Sequence, residues 1–177
     1  MSTRQIEAGY TAKLSPTRYD EIVSLCSAAF EEPFAPYLED VGPGLHLMAT
    51  VDGMLVSHVL VVPRALHVDG HGTLLTAYVE AVATLPSEQG QGHASALMRT
   101  VPAFCDSFEL AALSSSQHGF YEQFGWRFWD GPTAVRHLGK ETPTPEEQIM
   151  ILRLPRTPET LDAAAPIACD WRPGEVW

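Results

Sequence analysis

The sequence has little positive charge, little cysteine and no long apolar run. Lys and Arg number 11 against 22 Asp and Glu, a net charge of -11 in 177 residues. Such a surface repels phosphate backbones and anionic lipid, so nucleic acid and membranes are poor partners, whereas a cationic small molecule is drawn toward it. Cys26, Cys105 and Cys169 are odd in number, widely spaced and without a CxxC pair. That excludes a disulfide framework and a Cys-based zinc site, and fits a reducing compartment. The seven histidines, at 46, 58, 67, 71, 93, 118 and 137, show no metal-ligand spacing, so no metal is expected. The longest apolar run, Val59 to Val62, stops at Pro63, and no basic segment followed by an apolar stretch opens the chain. A soluble, unexported, cytoplasmic protein is expected.

What is present suffices for one folded domain. Apolar residues make up 45% and charged residues 19%, which sustains a core and excludes disorder. The length suits a single domain over residues 1–177. Ser15 before Pro16 reads as a helix N-cap, and Tyr19, Ile22, Cys26 and Phe30 recur at helical spacing as far as Pro33. HLMATV, then Asp52-Gly53, then MLVSHVLVV reads as a β-hairpin. A second hairpin is expected from Val61 to Val68 and from Thr73 to Leu85, joined through residues 69–72.

The period changes after Pro86. Ala94, Leu97, Met98, Val101, Phe104 and Cys105 form a helical stripe, with Pro102 forcing a kink or an early last turn. Leu110 to Ser114 reads as a buried strand, Gln117 to Phe124 as a short helix ended by Gly125, and Trp126 as the start of another strand. Gly139 to Glu147 reads as a loop before the strand IMILRLP.

Two constellations carry chemistry. Gln89-Gly90-Gln91-Gly92-His93-Ala94 lies between a strand and an amphipathic helix, where main-chain amides face along the helix axis toward an anion. Some thirty residues on, FYEQFGW follows the strand LAALSSS and carries Tyr121 on a helix. Taken alone, the first is also compatible with an empty glycine turn and the second with a core tyrosine.

Together these segments resemble the GCN5-related N-acetyltransferase (GNAT) family. Its acetyl-CoA loop pattern Q/R-x-x-G-x-G/A is met by Gln89, Gly92 and Ala94, and its later tyrosine, here Tyr121, commonly protonates the departing thiolate. The resemblance implies an α+β fold, with a central mixed and mostly antiparallel sheet flanked by helices and acetyl-CoA bound at splayed strands. It assigns acetyl-CoA to Val82, Ala83, Thr84, Gln89, Gly90, Gln91, Gly92, His93 and Ala94.

Three further pieces narrow the likeness: Tyr78-Val79-Glu80-Ala81-Val82, Leu113-Ser114-Ser115-Ser116, and the last nine residues, CDWRPGEVW. These are similar to the aminoglycoside 2'-N-acetyltransferases, whose chains end in a comparable motif. The resemblance implies that Glu80 binds and deprotonates the amine, directly or through water. It places Ser114 on the sugar and Glu175 and the carboxylate of Trp177 on substrate ammonium groups, leaves a homodimer open, and calls for no cysteine nucleophile.

The likeness fails after the first helix, where relatives carry aspartates and this chain reads Phe30-Glu31-Glu32-Pro33-Phe34. Glu31, Glu32, Glu39 or Asp40 are the candidates to compensate. Otherwise the pocket fits a less amino-rich compound, of which kasugamycin is the leading candidate. Two rival functions remain open on the residues: an acetyltransferase of polyamine or peptide amines, and a silent module that binds acetyl-CoA or an antibiotic.

Overall fold

A computed structural model describes residues 3–177. The chain divides into two compact units, one holding the chain up to Val62 together with Val79–Pro102, the other Pro63–Tyr78 with Ala103–Trp177. Two long strands, β3 (Met54–Val68) and β4 (Gly72–Thr84), contribute to both.

In the first unit, β1 (Arg4–Tyr10) pairs antiparallel with β2 (Leu45–Val51), which pairs antiparallel with the first half of β3. Asp52 and Gly53 take φ of 50° and 84°, the left-handed pair that the hairpin turn needs. The helix α1 (Pro16–Phe30) opens as expected: the Ser15 hydroxyl accepts from the Arg18 amide at 3.1 Å and proline occupies the first turn. It buries Ile22, Leu25 and Cys26, each apolar side chain removed from water contributing roughly 1.5–3 kcal/mol. A seven-residue helix, α2 (Ala35–Val41), follows. The helix α3 (His93–Thr100) ends early, giving way to a 3-10 turn over Val101–Phe104 that absorbs Pro102.

The second unit is built on parallel and antiparallel pairings. β5 (Leu110–Ser114) runs parallel to β4 over three pairs, Thr76 to Tyr78 against Leu110 to Ala112. β9 (Ile149–Arg153) lies antiparallel to β5 and to the two-residue β6 (Arg127–Phe128). On the other side β10 (Ile167–Asp170) pairs antiparallel with the second half of β3 and parallel with β7 (Thr133–His137). The helix α4 (His118–Glu122) ends short of Gly125, whose φ of 92° lets the chain turn toward Trp126. The fold class is the expected mixed, mainly antiparallel α+β sheet.

One expected loop is partly a strand. Within Gly139 to Glu147, β8 (Lys140–Pro143) pairs antiparallel with β7. Its four side chains are all exposed, so backbone pairing alone defines it and no alternation of apolar residues announces it. Among the described residues no helix is long and apolar enough to cross a membrane.

Candidate active site

The glycine loop has the shape its sequence requires. Gly90 and Gly92 hold φ of 76° and 75°, and an added Cβ at either would meet nothing within 4 Å. Glycine is needed here for the backbone angle, since a left-handed L-residue costs about 1 kcal/mol or more. Gly92 caps α3 without any side-chain bond to the first turn, which leaves main-chain N–H groups there for an anion.

A brace from β1 holds this loop. Arg4 donates from Nη2 to the Gln91 carbonyl and from Nε to His93 Nδ1, each at 2.9 Å. The imidazole proton therefore sits on Nε2, which faces Glu88 at 3.6 Å, while Glu88 also accepts from the Gln91 side chain at 3.0 Å. His93 is buried, so its ring serves as a strut of the loop and only its main chain remains for a ligand. Arg4 had no signal in the sequence. It lies on a strand whose side chains are almost all exposed and so lacks any readable alternation.

Glu80 is 6% exposed, and its Oε2 accepts a hydrogen bond from the Tyr37 hydroxyl at 2.6 Å. So short a bond to a carboxylate is strong and fixes the direction of the group. The next residue, Ala81, takes φ of 49°, a left-handed position without a glycine. Such a kink re-aims the side chains around it. Two consecutive β3 side chains reach this kinked stretch: Ser57 donates to the Ala83 carbonyl at 2.8 Å, and His58 Nδ1 lies 3.1 Å from the Ala81 carbonyl.

His58 belongs to a buried chain of polar groups. Its Nε2 is 2.9 Å from His46 Nδ1, and His46 Nε2 is 2.9 Å from the Thr11 hydroxyl. Cys26 from α1 closes on His58 Nδ1 at 3.7 Å. Burial pulls His46 down to about 4 and, with His46 as a neighbour, His58 to about 3. Both rings are therefore neutral in the fold and would take up protons near 6.5 once unfolded. Stability from this pair is fully present above about pH 6.5 and is lost as pH falls toward 4, at up to about 1.4 kcal/mol per pH unit for each ring. Urea midpoints measured from pH 7 to 4.5 should fall steeply in the wild type and by one ring's share less in His46→Gln. Equal slopes would remove the pair from the acid response.

The second unit gathers its own polar cluster at the end of β5. Tyr121 is 6% exposed, packs edge-on to Trp126 and Phe120, and hydrogen-bonds Ser115. Burial raises its hydroxyl above the ordinary value, partly offset by that bond, so it stays protonated through neutral pH. Ser114 makes a long contact, 3.5 Å, to the Glu147 carboxylate. Burial raises Glu147, as do the charges of Glu146 and Glu175. Sequence reasoning named Ser114 and Glu175 but missed Glu147, which sits inside the segment read as a loop.

The terminal motif is fastened residue by residue. Arg64 lies over the Tyr78 ring at 4.7 Å and donates to the Asp170 carbonyl, while Arg172 lies over the same ring at 5.9 Å and donates to the Glu175 carbonyl. The buried Trp177 donates its indole N–H to Thr144 at 3.0 Å. Glu31, by contrast, is exposed and holds φ of 59° at the C-cap of α1. What the structure shows of it is a helix end, with Phe30 stacked on Phe34 beside it.

The sequence matches the acetyltransferase (GNAT) domain family over residues 11–129. The chain belongs to the GNAT acetyltransferases. This acetyltransferase is 39% identical, over 141 residues, to an aminoglycoside 2'-N-acetyltransferase of Mycolicibacterium fortuitum, spanning 76% of this chain and 71% of that relative. Among solved structures it is similar to the GNAT family protein YhbS of Escherichia coli in complex with CoA, with a TM-score of 0.63 at 19% identity over 95% of this chain and 89% of that one. Eis1 of Mycobacterium abscessus matches with a TM-score of 0.61 at 20% identity over 75% of this chain. The chain spans a third of the length of Eis1 and of a probable N-acyltransferase from Enterococcus faecalis, 33% in each case.

Proposed function

We propose that this GNAT acetyltransferase moves an acetyl group from acetyl-CoA to the 2'-amine of an aminoglycoside, and so inactivates it. The observation that carries the reading is the 39% identity to a 2'-N-acetyltransferase of that class. The carboxylate-rich surroundings of Ser114 support it: Glu147 is raised by burial and by acidic neighbours, so a polyammonium sugar would relieve repulsion there. Charged hydrogen bonds of this kind are roughly twice as strong as neutral ones.

In this reading the main-chain amides of Val82, Ala83 and Thr84 and the loop from Gln89 to Ala94 hold acetyl-CoA, the loop taking the diphosphate. Glu80 accepts a proton from the substrate ammonium group, directly or through water. An alkylamine near 10.4 resists that loss by roughly 1.4 kcal/mol per unit above ambient pH, which is why a fixed carboxylate is needed. The freed nitrogen lone pair attacks the thioester carbonyl, a new C–N bond forms and the C–S bond breaks; the nitrogen sheds its second proton to solvent, and the departing thiolate takes one up from solvent to leave as the free thiol. The Val82 amide stabilises the developing oxyanion and Tyr121 hydrogen-bonds the departing sulfur. Glu147, Glu175, Ser114 and Trp177 bind the sugar, and Glu31 serves as a further acidic contact.

The test mixes protein and acetyl-CoA with kasugamycin, gentamicin, spermidine and a peptide amine and follows free thiol. Release is expected with an aminoglycoside, with the acetyl group located on the 2' nitrogen of the product. Release only with spermidine or the peptide would move the protein to another acceptor class. Calorimetry showing no association with CoA would overturn the reading as a whole.

A further inference from the structure

The polar chain under β4 takes its direction from the end at Ala81. The Ala81 carbonyl can only accept, so the proton facing it at 3.1 Å must be on His58 Nδ1. A neutral ring then offers the lone pair of Nε2, to which His46 donates from Nδ1 at 2.9 Å. With that tautomer His46 Nε2 accepts from the Thr11 hydroxyl at 2.9 Å, a proton for which the Gly44 carbonyl at 3.1 Å competes, and Thr11 Oγ1 itself receives the Gly44 amide at 3.0 Å. The opposite direction would set a ring lone pair against the Ala81 oxygen inside a core where both rings are at most 1% exposed.

The terminus of that chain is the carbonyl of Ala81, held left-handed between Glu80 and Val82. A non-glycine residue at such an angle is strained by about 1–3 kcal/mol and persists only when its surroundings hold it. Here the hold comes from one side chain aimed at the kink itself, with Ser57 fixing the strand two residues on.

We propose that His58 is a positioning residue for the acetyl-transfer site: its Nδ1–H, donated to the Ala81 carbonyl, locks the kink and thereby fixes where the Glu80 carboxylate and the Val82 amide point. The inference rests on the reading of Glu80 as the group that accepts the amine proton. His46 supports this tautomer of His58 by facing its Nε2 at 2.9 Å, while Cys26, Tyr19 and the nearby Glu39 surround the pair from α1 and α2. An ångström of drift at the carboxylate is enough to cost on the order of 10²-fold in rate, so a partial loosening should be visible in turnover.

Two measurements test this, one of them independent of activity. Long-range proton–nitrogen spectra of the labelled wild-type protein should show His58 protonated on Nδ1 and His46 on Nδ1, and an Nε2-protonated His58 would overturn the proposal. Kinetically, His58→Leu removes the donor, and roughly 10-fold lower kcat is expected with KM for acetyl-CoA within about 2-fold. His58→Asn carries an amide N–H at the position of Nδ1 and should recover most of that turnover. Wild-type turnover in His58→Leu, or equal losses in Leu and Asn, would refute the positioning role. If the wild type released no thiol with any amine, the functional reading would fail while the tautomer measurement still judged the clamp. Should His58→Leu not fold, the spectra alone decide.

Discussion

Glu80→Gln is expected to lower turnover by about 10²- to 10³-fold at every pH, with little change in melting temperature. The carboxylate is 6% exposed and bound to Tyr37 at 2.6 Å, so the replacement keeps volume and shape. Glutamine's amide oxygen accepts the same phenolic proton, so the bond to Tyr37 is kept. What disappears is basicity. An amide cannot take a proton from an ammonium group at neutral pH, and general-base contributions of this kind are typically 10²- to 10⁴-fold. The measurement is kcat against pH for both proteins with a saturating amine. A variant profile that overlies the wild type would mean that the amine loses its proton elsewhere. Tyr37→Phe provides a second arm on the same carboxylate, since it removes the 2.6 Å hydrogen bond to Oε2 while keeping the carboxylate itself.

Much of this arrangement is legible in residue order because local chemistry dictates it. Ser15-Pro16 starts α1, Asp52-Gly53 turns the hairpin, and Pro102 ends α3 in a 3-10 turn, each through backbone angles or caps that neighbouring residues determine. Gly90 and Gly92 are readable for the same reason. The residues that escaped reading are those whose role comes from register. His46 and His58 are diagonal neighbours because β2 pairs His46 with Leu60 and Met48 with His58, an alignment no spacing reveals. Tyr37 reaches Glu80 from α2, seven residues long with Pro36 in its first turn, too short a stripe to give a helical period. Glu147 looks like one more acid in a charged turn until the pairing of β9 with β5 sets Ile149 opposite Ser114. β1 pairs through its backbone and exposes its side chains, so neither the strand nor Arg4 upon it stood out.

Tyr121→Phe should lower turnover by about 10- to 100-fold while the dissociation constant for CoA changes less than about 2-fold. The ring's edge contacts with Trp126 and Phe120 survive in phenylalanine, so the packing of α4 is retained. Only the hydroxyl and its bond to Ser115 are lost. The chemistry argues for a hydrogen bond to sulfur more than for complete proton transfer. An ordinary phenol near 10 already lies about 1.5 units above a thiol near 8.5, an uphill step of about 2 kcal/mol, and burial raises Tyr121 further. The same shift keeps the hydroxyl protonated, so Tyr121 gives the wild type no basic limb near neutral pH. A basic limb near pH 7 to 8 that vanished in Tyr121→Phe would contradict the assignment, and unchanged turnover in the variant would take the tyrosine out of the reaction. The expected pattern is a uniform drop in kcat with the shape of the pH profile preserved, because a donor that never ionises in the working range contributes to every turnover equally.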